Sequence, residues 1–234
     1  SDSDEKVKAK NNLNELRTFA THRLKKQMLD AGLYFKYHDF NYYGQDNLPI
    51  PFTEDILSKN SYTRAGLNVG FKSFYLPEND IDYYIRTSYN LFSAKTGIKE
   101  HAVVIKGGIK KAINDHLAGL DIDIHNFIYN TPDEENYFGN YNEMDNYSVL
   151  KLNPHFTLLK DDLLLRIGVS AFFSGKGEYP VTIIPDINMS YHLPDSNLEL
   201  FGSISGNYEA HPMDKITAEN QYITPNVKVE DTYT

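Results

Sequence analysis

The sequence predicts an all-β protein: an antiparallel up-and-down meander forming a transmembrane β-barrel or a large arc of one. Three observations predict it. Apolar and polar residues alternate with period two through segment after segment. The alternating segments run to roughly 10–14 residues, about twice the usual soluble strand. The connections between them alternate between short and longer, as they do when every second connection lies at the same end of a barrel.

The segments justify themselves in order. Residues 1–30 stand apart as an N-terminal segment, and "NELRTFATHRLKKQML" reads equally as a helix or an irregular strand. Residues 31–234 read as one β-barrel region. Within it, 31–40 alternates, and 62–76 sets Ala65, Leu67, Val69 and Phe71 against Arg64, Gly66, Asn68, Gly70 and Lys72. Segment 83–93 sets Tyr83, Ile85, Tyr89 and Leu91 against Tyr84, Arg86, Ser88 and Asn90. Segment 102–113 alternates less cleanly. In 117–129, Leu120, Ile122, Ile124 and Ile128 oppose Asp121, Asp123 and His125. Segment 147–159 opposes Leu150, Leu152, Phe156 and Leu158 to Lys151, Asn153 and His155. Segment 163–174 opposes Leu165, Ile167 and Val169 to Arg166, Gly168 and Ser170. Segment 181–193 opposes Val181, Ile183, Ile187 and Met189 to Asp186, Asn188 and Ser190, and 197–208 closes the series. That makes about nine strands. The turns "PEND", "NDH", "KDD" and "LPDSN" share one end; 41–61, "AKTGIKE", 130–146, "GKGEY" and 209–225 share the other. Pro154 and Pro185 each remove a ladder donor and mark bulges or sites beside a seam.

Composition excludes several classes. The 234 residues carry a net charge of −9, with no basic block of the kind that releases counterions from phosphates, so no nucleic-acid partner is expected. There is no Cys, which removes disulfides, thiolate metal sites and Cys nucleophiles. No run of about 18 apolar residues exists, which leaves a closed β-barrel as the way to span a bilayer.

Alternation alone does not say which face is wet. Strand length, the grouping of loops and the gathering of Tyr and Phe near strand ends favour a membrane barrel, with apolar residues toward lipid. The polar residues expected to line a lumen are Arg64, Asn68, Lys72, Arg86, Asp121, Asp123, His125, Lys151, His155, Arg166, Asp186 and Asn188. The alternative is a soluble all-β binding protein with an apolar interior.

The run "YPVTIIPDINMSYHLPDSNLELFGSISGNYEAHPMDKITAENQYITPN" resembles the barrel region of outer-membrane proteins related to TonB-dependent receptors. In that family a strand ending in Tyr, a short Pro-Asp turn, a Gly/Ser-rich strand and a long loop recur. A weaker likeness extends over 31–225. The resemblance implies a Gram-negative outer-membrane location, the lipid bilayer as partner, and receptor- or porin-type uptake or passage of a solute. The family's plug domain, energy-coupling box and terminal aromatic strand are missing, and its barrels have more strands than nine. Residues 11–24 could supply a tenth strand and 226–234 the start of another; the favoured expectation is part of a larger barrel, completed by missing strands or another chain.

Chemistry-bearing clusters are few. Asp121, Asp123 and His125 stand at i, i+2 and i+4, about 6.5–7 Å apart along a strand, too wide to chelate one ion unaided. Pairing with Lys and Arg of neighbouring strands, such as Lys106, Lys110 or Lys151, is the plainer reading. The loop at 130–146 gathers Asp133, Glu134, Glu135, Glu143 and Asp145 without calcium-loop spacing, and its Tyr and Asn suit contact with a small solute or a glycan. A barrel hydrolase is the third reading, with His38 and Asp39 near a rim and Ser170 in mid-strand. No enzyme activity, metal or cofactor is expected.

Overall fold

Long alternating segments pair edge to edge before anything else constrains them, and here they form one antiparallel sheet. A computed structural model describes residues 10–41, 60–74, 81–114, 116–131, 144–176, 180–194, 196–223 and 231–233. Ten strands lie side by side in chain order: β1 (Asn11–Arg23), β2 (Gln27–Phe40), β3 (Asn60–Ser73), β4 (Ile81–Ala94), β5 (Lys99–Ile113), β6 (His116–Asn130), β7 (Tyr147–Lys160), β8 (Leu163–Ser174), β9 (Val181–His192) and β10 (Glu199–Ser205). After β10, the short strands β11 (Tyr208–Glu209) and β12 (Thr232–Tyr233) pair with each other, and helix α1 (Met213–Glu219) falls between them in the chain.

Residues 11–23 form a strand, so the sheet has ten strands where the sequence suggested about nine. Leu13, Leu16 and Phe19 are spaced three apart, a helical spacing that hides the strand. Pairing with β2, from Asn11↔Phe40 to Arg23↔Met28, decides the conformation. Residues 31–40 thus lie inside β2, between β1 and β3, rather than against β10. Among the described residues β1 pairs only with β2 and β10 only with β9, so the sheet has two open edges. Every residue of both edge strands is exposed.

The connections at one end span 24–26, 74–80, 114–115, 161–162 and 193–198; at the other they span 41–59, 95–98, 131–146 and 175–180. The segregation is weaker than the sequence implied. "AKTGIKE" shrinks to 95–98 because β4 and β5 extend into it, and Gly97 (φ 96°) closes the turn with its N–H on Ala94 O. Asn114 and Asp161 take the left-handed conformation in their tight turns, which Asn and Asp tolerate.

Neither proline makes a bulge. The β7–β8 register keeps the same offset on both sides of Pro154, although the ladder skips Asn153 and Pro154. Pro185 pairs with Val169 in register, and the β9–β10 ladder stops at Asp186↔Ser205, one residue short of it.

Directly opposed residues share a face, and the registers run through the whole sheet without a shift. One face carries the aliphatic rows. The other carries the polar rows, and the buried core lies on that polar side. Phe40, Tyr62, Phe92, Ala94, Ile98 and Met213 form one cluster; Ala102, Phe127, Tyr147, Val149, Phe172 and Tyr208 form another. Phe40, Phe127, Tyr147 and Phe172 were expected among the aromatics at a bilayer interface. They instead pack inward beneath the C-terminal segment.

That segment, read from sequence as a loop, is held down by polar contacts. Arg64 Nε donates to Asp214 Oδ1 (2.5 Å) and Arg64 Nη2 to Thr217 Oγ1 (2.7 Å). Glu100, buried in β5, accepts the backbone N–H of Met213 (2.5 Å) and so caps the first turn of α1, whose Pro212 offers no capping side chain. Tyr62 donates to Gln221 O (2.9 Å), and Tyr208 donates to Asp231. Burial, reinforced by that carboxylate, pushes the Tyr208 phenol above its ordinary range and keeps it protonated.

Candidate functional site on the polar face

All twelve polar candidates fall on one face, because each is joined to the next by direct opposition across the sheet. Arg64 stands opposite Lys36 and Phe92, Asn68 opposite Gly32 and Ser88, and Lys72 opposite Met28 and Tyr84. Arg86 stands opposite Gly70 and Lys106. Asp123 lies between Lys106 and Lys151, and His125 between Val104 and Val149. Asp121 faces Asn153, His155 faces Gly119 and Gly168, and Arg166 faces Asn188 while Asp186 faces Gly168.

The structure draws five of them into one network. Arg166 of β8 reaches over β7 to Asp121 of β6 (3.4 Å) and also meets Asp186 of β9 (3.3 Å). On the way it donates to Asn153 Oδ1 (3.1 Å), whose amide donates to Asp186 (2.9 Å) and Ser170 (2.7 Å). His155 Nδ1 lies 3.6 Å from Asp121, and Asn188 donates to Asp186 (2.9 Å). Asn153 and Tyr84, which donates to Asp121 (3.1 Å), belong to this network and were missed among the candidates. Asp121 was expected to pair with a lysine or arginine of an adjacent strand. It pairs with an arginine two strands away, a distance that period-two reading does not see.

Other contacts across two strands pass over glycines of this face. Asp30 of β2 passes over Gly70 of β3 toward Arg86 of β4 (3.6 Å). Tyr34 of β2 lies over Gly66 of β3 and donates to Asn90 of β4 (3.2 Å). Tyr84 of β4 lies over Gly108 of β5 to reach Asp121 of β6. A missing side chain on the middle strand lets groups two strands apart touch. Gly66→Ala would drive a methyl into the Tyr34 ring. We expect it to destabilise the protein by about 1–3 kcal/mol, the usual cost of overpacking, and to break the Tyr34–Asn90 bond; thermal melts of Gly66→Ala beside Tyr34→Phe would check both effects.

The remaining candidates stay apart. Arg64 serves the C-terminal segment. Among the described residues no ion pair reaches Lys72, Asp123 or Lys151. No group of three His, Asp or Glu residues fit to hold a metal ion occurs among the described residues. Asp121, Asp123 and His125 are therefore a row along a strand rather than a chelate. Ser170 takes its hydrogen bond from Asn153, His38 bonds Asn11 (2.7 Å), and Asp39 pairs with Lys10. His38 and Asp39 are consecutive in β2 and so point to opposite faces. Of the acidic loop, Asp133, Glu134, Glu135 and Glu143 lie outside the described residues.

Comparison with family models, with curated proteins and with solved structures finds no match.

Proposed function

We propose that the chain forms part of the wall of a Gram-negative outer-membrane β-barrel of receptor or porin type, lipid on its aliphatic face, and serves the passage or uptake of a small solute along its polar face. One observation carries the reading: burial is inverted. On the polar face Arg64, Glu100 and Asn153 are 5%, 1% and 3% exposed, while on the aliphatic face Leu33, Ile167 and Ile183 are 55%, 47% and 70% exposed. A soluble sheet covers its aliphatic rows with another layer. Here the chain's own helix and C-terminal segment cover the polar rows instead. The long aliphatic surface suits hydrocarbon, and strands of 12–15 residues in β1–β9 have the reach to cross it at a tilt.

The open edges support the second half of the reading. Hydrocarbon does not tolerate a row of unpaired backbone groups, so strands from elsewhere in a larger barrel or from another chain complete the wall. The likeness to TonB-dependent receptor barrels agrees with such an arc. Because the chain has no Cys, single cysteines can be placed at will for spin labels. Labels at Leu165, Ile167 and Val169 are expected to favour oxygen from a bilayer or detergent belt. Labels at Arg166, Gly168 and Ser170 are expected to favour a water-soluble quencher. The opposite order, with a folded sheet in the absence of detergent, would establish the soluble binding protein in its place.

A further inference from the structure

Asp123 lies in register between Lys106 and Lys151, so two ammonium groups face one carboxylate at the centre of three strands. No ion pair within 4 Å joins either lysine to a carboxylate among the described residues. Lys151 instead sits over the Phe172 ring, 5.3 Å from its centroid. Between these side chains lies a cavity of about 130 Å³, which His125 and Val149 also line and which Asn207, Tyr208 and Ala210 border from the C-terminal segment. The Tyr208 hydroxyl is engaged with Ser174 and Asp231, and Asn207 stands beside it on that border.

We propose that this cavity binds a small oxyanion, phosphate or the carboxylate of a short organic acid, between the Lys106 and Lys151 ammonium groups. Two cations against one anion leave a local excess of one positive charge at this point of the face. The apolar side chains of Val149, Phe172 and Ala210 and the partial cover over the cavity strengthen a charge-assisted bond relative to open water. Asp123 weakens the site without reversing its sign, so an exchangeable solute fits better than a tightly held one. The proposal deepens the function proposed above by naming a solute class, and rests on that reading only for placing the cavity beside a passage.

The test is calorimetric titration of the folded full chain in detergent micelles, at low ionic strength, with inorganic phosphate and with acetate. Saturable binding of one anion per chain is expected. Lys106→Gln with Lys151→Gln together should weaken it at least tenfold, and Asp123→Asn should tighten it several-fold. Folded wild-type protein that binds neither anion saturably overturns the site. So does anion binding that the double lysine variant leaves unchanged, which would place the anion elsewhere on the chain. A sheet that is fully folded without detergent, yet binds phosphate with this pattern, would sink the membrane reading and leave the site standing.

Discussion

On the membrane reading proposed above, Ile167→Arg is expected to destabilise the folded protein in a bilayer by about 2–4 kcal/mol, the depth-dependent penalty for a cation near the midplane of a barrel's lipid face. Ile167 sits near the middle of β8 between Phe156 and Ile187, all three on the aliphatic face, and is 47% exposed. In a water-soluble sheet the same substitution at so exposed a site would fall within about 0.5 kcal/mol of wild type. The two readings therefore differ several-fold in one number. Urea titration of protein folded into short-chain liposomes, followed by tyrosine fluorescence, measures it. Ile167→Ala serves as the reference that removes the side chain without adding charge.

Arg64→Ala should release the C-terminal segment while leaving the ten-stranded sheet in place. The Arg64 side chain is 6% exposed, and its guanidinium lies against the adjoining rings of Tyr62 and Phe92, at 5.4 and 5.2 Å. Its removal strands Asp214 and the Thr217 hydroxyl and opens a void under α1. Breaking a fully buried pair costs about 3–5 kcal/mol; with the Asp214 side chain at 31% exposure, roughly 2–3 kcal/mol is the better expectation. The loss should appear locally. Amide exchange at Ile216 and Asn220, whose N–H groups close the turns of α1, should accelerate by about two orders of magnitude, while amides of β6 and β7 change little. Arg64→Lys keeps the charge without the fork and should fall between the two. Uniform acceleration across the sheet would show that the segment is integral to the sheet rather than docked on it.

Much of this architecture is written in period two. Leu165 to Ser170 alternates without a fault, and β8 follows it residue by residue. The first strand was not legible, because Leu13, Leu16 and Phe19 follow no two-residue rhythm and an exposed edge selects no face for them. Nor was α1: seven residues with one acidic group in the first turn and no side-chain cap give no local helix signal, and the cap comes from Glu100, more than a hundred residues earlier. The polar face could be named residue by residue, yet its partnerships could not. Asp121 finds Arg166 across an intervening strand with Asn153 accepting from Arg166 on the way, whereas among the described residues the lysines directly opposite Asp123 make no ion pair. Period two tells which residues share a face and says nothing of how far along that face each side chain reaches.

The glycines beneath Tyr34, Asp30 and Tyr84 also settle a matter that hydrophobicity leaves undecided. A strand that slips by one residue turns its aliphatic row to the wrong side, and burial forbids it. A slip by two preserves every inward and outward assignment, so burial is blind to it. Sliding β3 by two would bring Arg64 or Asn68 under the Tyr34 ring, and Asn68 or Lys72 under Asp30. The same slip of β5 would bring Lys106 or Lys110 under Tyr84. Each glycine is a keyway that accepts its neighbour in one alignment only, and two of them in β3 with one in β5 lock four consecutive strand pairs, from β2 to β6, against the slip that the alternation itself would permit.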